Sequence, residues 1–369
     1  MTSDKNFMHQ ALEQAAQALF LSSPNPRVGC VIVDGAGQVI GQGFTQQAGG
    51  PHAEVMALRD AAAKGHDVRG ATAYVTLEPC SHHGRTGPCC DALIAAGIGK
   101  VVGALTDPNP QVAGRGFERL RAAGVEVEVG PGGAESRELN IGFFSRMVRG
   151  TPWVRMKAAS SLDGVTALHN GKSQWITSAE ARADGHAWRA RACTILTGIG
   201  TVLEDNPRMN VRDIPTPRQP RIAVVDSKLD MPLDAHVLKA PSGCLIYTCS
   251  QDDLKIQTLQ GLGATVIDMP NAAGKVDLAA MLRDLAQRGT NELHVEAGFK
   301  LNGSLIREGL VNEFLFYQAP KLLGTAAMGI ANFGPLNDLH EGVQLEFHDI
   351  SRIGPDLRLV ARVQGRANF

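Results

Sequence analysis

The segment Pro51-His52-Ala53-Glu54-Val55, followed after a strand-like run by Glu78-Pro79-Cys80 and then by Pro88-Cys89-Cys90, decides how the N-terminal half is read. One imidazole and two thiolates can hold zinc tetrahedrally and leave a position for water, the donor set of a catalytic rather than a structural centre. Such a water can be acidified to a pKa of roughly 7, but hydrolysis also needs a group that moves protons to the departing fragment. Glu54, two residues past His52 at the start of an expected helix, is placed to be that catalytic group without being a ligand. The order His-x-Glu, then Pro-Cys and a second cysteine, is that of zinc deaminases acting on bases, where the two cysteines stand three positions apart. Here eight residues, Ser81 to Pro88, separate Cys80 from Cys89, which enlarges the loop and adds groups that can face a substrate. His82, His83 and Cys90 are further donors, yet His52, Cys80 and Cys89 already fill the three protein positions of a catalytic site. Cys30, in mid-strand, is expected in the core.

Outward from this segment, Phe7, Met8, Ala11, Leu12, Ala15, Leu19 and Phe20 predict an amphipathic opening helix. Strand-like Val28–Val33 and Val39–Phe44 flank the turn signal Asp34-Gly35 and predict a hairpin. Strands at 72–77, 100–105 and 125–129 alternate with helices at 91–96, 117–123 and 135–149, the pattern of an α/β layer fold. After Gly150-Thr151-Pro152 the pattern restarts. It predicts strands at 153–159, 194–197, 221–225, 244–248 and 292–296 and helices at 179–191, 278–288 and 301–308, with Ser178 or Thr177 as a helix cap. The expected domains are 1–148 and 149–369, since 369 residues exceed one ordinary core.

Lys and Arg number 36 against 37 Asp and Glu, so no global basic field exists to hold nucleic acid or an anionic membrane. Seven scattered cysteines, an odd number, point to a reducing compartment rather than a disulfide framework. The polar start carries no signal-like apolar region and no segment is long and apolar enough to span a bilayer, so a cytoplasmic protein is expected. Oligomeric state, including a homo-oligomer, is left open.

Further stretches extend the pattern: Pro24-Asn25-Pro26-Arg27-Val28-Gly29-Cys30-Val31, the run Tyr74 to Thr86, and Asp107-Pro108-Asn109-Pro110-Gln111-Val112-Ala113-Gly114-Arg115-Gly116. Together with His52-Ala53-Glu54 and Pro88-Cys89-Cys90 they resemble the bifunctional riboflavin biosynthesis deaminase-reductases. The resemblance implies a cytidine-deaminase-like fold for this half and a small-molecule substrate, 2,5-diamino-6-(5-phosphoribosylamino)pyrimidin-4(3H)-one, which loses its 2-amino group as ammonia. It also implies that Asn25 and Arg85 help hold the pyrimidine nucleotide. By residue type alone Asn25 is equally a turn residue and Arg85 a solvated loop charge. Thr45 and Met56 stand where the family commonly has histidine, so some substrate contact is expected to differ. The rival enzyme reading, a nucleic-acid base deaminase, lacks basic runs with interleaved aromatics.

Residues 150–369 show no second metal cluster in sequence. Two glycine turns follow strands, Thr197-Gly198-Ile199-Gly200-Thr201 and Ala297-Gly298-Phe299-Lys300-Leu301-Asn302-Gly303-Ser304, and such turns before helices offer N–H groups to phosphate. Neither is a dinucleotide fingerprint. Ala159-Ser160-Ser161-Leu162-Asp163-Gly164, Ser173-Gln174-Trp175-Ile176-Thr177, Gly200 to Pro207, and Ala319-Pro320-Lys321-Leu322-Leu323-Gly324 resemble the reductase half of the same family. That resemblance implies a dihydrofolate-reductase-like fold and NADPH as cofactor. It places Ala159, Trp175, Thr201, Asp205 and the turn Gly298, Phe299, Lys300, Leu301, Asn302, Gly303 and Ser304 at the dinucleotide. Ser173, Arg189, Met209, Arg212 and Glu296 would face the phosphoribosyl substrate, with Lys157 a further candidate. Without it, Trp175 and Met209 read as core and the arginines as a solvated face.

Overall fold

Apolar runs and turn signals in the first 150 residues produce the strands Gly29–Val33 (β1), Val39–Phe44 (β2), Thr72–Val75 (β3), Lys100–Gly103 (β4) and Glu126–Val129 (β5). They form one sheet in the order β2-β1-β3-β4-β5, with β1 antiparallel to β2 and β3, and β3, β4 and β5 parallel. The computed structural model describes residues 3–81, 87–324 and 328–369, and the chain divides into two units, Met1–Gly150 and Thr151–Phe369. Asp34 closes the β1–β2 turn, its Oδ1 accepting from Ala36 N–H at 2.9 Å and Gln38 N–H at 2.8 Å.

The helices of this unit are Ser3–Ala16 (α1), Ala53–Ala63 (α2), Cys89–Ala95 (α3), Arg115–Ala122 (α4), Gly133–Leu139 (α5) and Ile141–Arg149 (α6). A Cβ at Gly43 would fall 2.5 Å from the Cβ of Met56, so α2 lies directly on β2 and Met56 is a packing residue of that contact. The opening helix ends at Ala16, short of the expected Phe20, in a run of turns. The single helix expected over 135–149 is two. Asn140, at φ −109° and ψ 19°, breaks it, and its side chain accepts from Arg27 N–H at 2.7 Å and donates to the Arg27 carbonyl at 2.9 Å. Two bonds to a segment 113 residues away outweigh one uninterrupted helical turn.

The second unit carries nine strands: Trp153–Ser161 (β6), Thr194–Gly198 (β7), Arg221–Val225 (β8), Cys244–Thr248 (β9), Ala264–Asp268 (β10), Glu292–Val295 (β11), Glu313–Ala319 (β12), Leu345–Ile353 (β13) and Asp356–Val363 (β14). Their order is β10-β9-β8-β7-β11-β6-β12-β14-β13, parallel from β10 to β12 and antiparallel thereafter. Its helices are Ala179–Arg191 (α7), Ile199–Asp205 (α8), Asp253–Gly261 (α9), Leu278–Gln287 (α10) and Phe299–Arg307 (α11). Alternate residues of the central strands feed two cores. Leu196, Ala223 and Leu245 pack with Met281, Leu285 and Leu305 of α10 and α11, while Ile195, Ile222 and Ile246 pack with Val202 and Leu259 of α8 and α9. Ser178 caps α7 as expected, accepting from Ala181 N–H at 3.2 Å.

At the strand starts a buried network joins Arg155 to Glu292 at 2.8 Å and to Glu313, with Arg191 and Arg362 completing it. Arg155 also lies over the Trp188 ring at 4.5 Å. The opposite ends of the parallel strands open onto the site below. Among the described residues no helix is long and apolar enough to cross a membrane.

Candidate metal centre and reductase site

Strand β3 ends at Val75 and delivers Thr76 to Cys80 beside the N-termini of α2 and α3. His52 is the N-cap of α2, Glu54 lies in its first turn, and Cys89 opens α3. His52 Nδ1 stands 3.6 Å from Cys80 Sγ and 3.3 Å from Cys89 Sγ, and the three donor atoms lie within 4.8 Å of one another. Donors at zinc–nitrogen and zinc–sulfur lengths of about 2.0 and 2.3 Å in a tetrahedron are separated by about 3.5 Å, so the set fits this metal in geometry as well as in softness. Cys80 is drawn down to about 4 by its hydrogen bond from Cys89 and by His52, which outweigh burial, while sharing that proton pushes Cys89 up strongly.

Cys90 turns away, its Sγ bonded to the carbonyls of Pro79 at 3.2 Å and Gly116 at 3.4 Å, and Cys30 is fully buried in β1. His82, His83 and Arg85 lie outside the described residues. Glu54 is 3% exposed, and Cys89 is close enough to share a hydrogen bond with it. Burial, then the Cys80 charge, pushes its carboxyl up to about 7.

A cavity of about 750 Å³ opens above these groups, lined also by Asn25, Thr45, Glu78, Asp107, Asn109 and Arg146. Thr45 is buried, and Asn25 donates its N–H to the Ser22 carbonyl at 2.9 Å. Glu78, Asp107 and Arg146 escaped the reading of the sequence as site residues. Glu78 sat in plain view two residues before Cys80, whereas Asp107 and Arg146 reach the cavity only through the fold.

In the second unit β7 and β11 lead directly into α8 and α11, whose N-termini border a second cavity of about 750 Å³. Thr201, Gly298, Phe299, Lys300, Leu301 and Ser304 line it. Asn302 and Gly303 face the other way: Asn302 Nδ2 donates to the Ile330 carbonyl at 3.1 Å, and a Cβ on Gly303 would meet the Asn332 carbonyl oxygen at 1.8 Å. Ser227, Lys228 and Lys275 also line the cavity, without a local motif to announce them.

Beside it, Arg189 pairs with Glu296 through one guanidinium edge, Nε donating to Oε1 and Nη2 to Oε2 at 2.8 Å, while Nη1 donates to the Asn210 carbonyl at 3.0 Å. Burial opposes ionisation of Glu296, but Arg189 overrides it and holds the carboxyl well below the usual range. Burial lowers the Lys157 ammonium, opposed by Glu296 and assisted by Arg189, which places these three charges together.

Other expected contacts fall elsewhere. Met209, at φ 49°, is 4% exposed and packs in the core of β7, β8 and β9. Arg212 is exposed beside Asn210 at 3.3 Å. Trp175 is 63% exposed with Arg182 at 4.3 Å over its ring, and Ser173, Ala159 and Asp205 do not line the cavity. Trp175 is therefore not core.

A partly buried His-Cys-Cys centre with an adjacent glutamate, joined to an α/β unit whose strand ends shape a nucleotide-sized cavity, defines a two-domain enzyme combining a zinc deaminase with a reductase. Residues 1–105 match the cytidine and deoxycytidylate deaminase zinc-binding region, and residues 152–359 match the RibD C-terminal domain. The chain belongs to the RibD family of bifunctional deaminase-reductases of riboflavin biosynthesis, which use zinc and NADPH. It is 44% identical to the riboflavin biosynthesis protein RibD of Escherichia coli K12, over 96% of this chain and 98% of that protein. The Aquifex aeolicus RibD is 39% identical over 96% of this chain and 97% of its own. Among solved structures, Acinetobacter baumannii RibD superposes with a TM-score of 0.89 at 40% identity, covering 98% of each chain. A Thermotoga maritima diaminohydroxyphosphoribosylaminopyrimidine deaminase/5-amino-6-(5-phosphoribosylamino)uracil reductase does so at 0.85 and 31% identity, covering 98% of this chain and 99% of that one.

Proposed function

We propose that the first domain, residues 1–148, deaminates 2,5-diamino-6-(5-phosphoribosylamino)pyrimidin-4(3H)-one, and that the second, residues 149–369, reduces the ribosyl group of 5-amino-6-(5-phosphoribosylamino)uracil to ribityl with NADPH. The observation that carries the first half is a 3% exposed glutamate beside three mutually adjacent soft donors. His52, Cys80 and Cys89 would hold a zinc ion, which when bound would supply an acidified water. Glu54 would take a proton from the attacking water and give it to the amine as the C–N bond breaks and ammonia leaves, while the second water proton passes to the adjacent ring nitrogen and a carbonyl remains. Asn25 and Arg85 hold the nucleotide.

In the second half the cofactor supplies hydride and the chain orients it. Thr201, Gly298, Phe299, Lys300, Leu301 and Ser304 line the dinucleotide cavity, and Lys157, Arg189 and Glu296 form the charged face presented to the phosphoribosyl chain. Seven cysteines, all free, suit the reducing cytoplasm as the place of action.

A coupled assay on the full chain, following ammonia release and NADPH absorbance from the diaminopyrimidine ribotide, tests both halves at once. Glu54→Gln should keep zinc, lose ammonia release by about 100-fold or more, and still oxidise NADPH with the deaminated ribotide. Ammonia release at the wild-type rate in that variant removes Glu54 from the reaction.

A further inference from the structure

The cavity over the metal centre is acidic at its base. Glu54, Glu78 and Asp107 line it beside Cys80, and Glu78 turns its carboxylate onto three backbone N–H groups. A phosphate monoester carries about −1.5 to −2 charge at neutral pH. A phosphoribosyl substrate whose pyrimidine enters this base must therefore place its phosphate on another part of the wall, against a cation.

Among the described residues that line the cavity, Arg146 is the one that carries a guanidinium or ammonium group. It stands in the last turn of α6, half-buried, with its Cζ 5.7 Å from the ring centroid of Phe143 and its Nη2 donating to the Pro24 carbonyl at 3.4 Å. Phe143 is itself 5% exposed and lines the same cavity, so the ring is a fixed shelf for the guanidinium. Pro24 precedes Asn25, a second lining residue, so the turn that carries Asn25 and the guanidinium are held together. The planar fork of arginine suits a phosphate because its donors bind in pairs. Thr45, also on the wall, is neutral.

We propose that Arg146 is a phosphate-binding residue of the deaminase site, setting its preference for a ribotide over the corresponding riboside. The proposal rests on the deaminase reading above and deepens it. Phosphate held at α6 on the wall and pyrimidine at the metal centre would fix the substrate at both ends, leaving its exocyclic amine in one position relative to Glu54.

The test compares ammonia release by the zinc-loaded full chain from the diaminopyrimidine ribotide and from its dephosphorylated riboside, in wild type, Arg146→Gln and Arg146→Lys. Arg146→Gln should lose about 10- to 100-fold in kcat/KM on the ribotide, chiefly through KM, and stay within about twofold of wild type on the riboside. Arg146→Lys should recover part of the ribotide preference. Turnover of the riboside reports on the fold of the first unit, and NADPH oxidation with the deaminated ribotide, which belongs to the second, should be unchanged in both variants. The proposal is overturned if Arg146→Gln keeps the wild-type preference for ribotide, or if both substrates fall together. Ammonia from neither substrate in wild type would instead overturn the deaminase reading itself.

Discussion

Replacing Glu78 with glutamine strikes the loop that carries Cys80. The carboxylate is 4% exposed and accepts three backbone N–H groups, from Asp107 at 3.0 Å and Gly114 at 2.9 Å on Oε2, and from Gly116 at 2.7 Å on Oε1. An amide has a single acceptor oxygen. Its better orientation keeps the two bonds at the Oε2 position and turns its NH2 onto the Gly116 N–H, losing one bond to a charged acceptor and stranding a buried donor. Bonds to charged groups contribute about 1.5–3 kcal/mol and a stranded buried donor costs about 1–3, so Glu78→Gln should destabilise the first unit by about 2.5–6 kcal/mol. With a urea slope of about 2 kcal/mol/M, its unfolding midpoint should fall by about 1–3 M. The two units can be followed separately in the zinc-loaded full chain. All three tryptophans, Trp153, Trp175 and Trp188, lie in the second unit and report on it by fluorescence, while zinc release to a colorimetric chelator reports on the first. Only the zinc-release midpoint should move. A midpoint within about 0.3 M of wild type would refute the reasoning, and so would an equal fall in both signals.

Arg155→Met should lower the tryptophan-reported stability by about 3–5 kcal/mol, because it leaves Glu292 and Glu313 buried without the cation between them; a change under about 1 kcal/mol would mean that Arg191 and Arg362 suffice. Burial, reinforced by Arg189 and Arg212, lowers His186 to about 4 from its ordinary 6.5, so an unfolded chain takes up a proton that the folded one refuses as pH falls. The stability held by this neutral imidazole is complete above about pH 6.5 and is lost toward pH 4, contributing a slope of up to about 1.4 kcal/mol per pH unit that His186→Gln should abolish in urea midpoints of the tryptophan signal taken between those values. An unchanged slope in the variant would assign the acid sensitivity elsewhere.

The zinc-binding half was readable because its donors sit on short segments with strong local meaning. His52 and Glu54 open one helix, Cys89 opens another, and the Pro79-Cys80 pair follows a strand. The choice between Cys89 and Cys90 follows from the same local geometry, since successive residues at a helix start point in different directions and Cys90 is engaged by the Pro79 and Gly116 carbonyls. The last three strands of the second unit were not anticipated. Glu313, Arg358 and Arg362 give β12 and β14 a polar look, and their charges are neutralised inside the sheet by Arg155, Asp184 and Glu313, partners that only the fold supplies. In β13 the alternation is further broken by a bulge between Phe347 and Asp349.

The same distance in sequence separates the legible from the illegible parts of the site. Arg189 and Glu296 are 107 residues apart, and neither stretch carries a motif that names the other. They meet because α7 packs against β11, which places the guanidinium at the end of the strand where the carboxylate emerges. Lys157 joins them because β6 is the parallel neighbour of β11, in the register that sets Met156 beside Val295. A parallel sheet brings the ends of its strands together regardless of chain separation. Charges gathered at such ends acquire their meaning from strand order, which residue identity alone does not encode. Met209, expected at the substrate by resemblance and in the core by residue type alone, is buried in a left-handed turn against β7, β8 and β9.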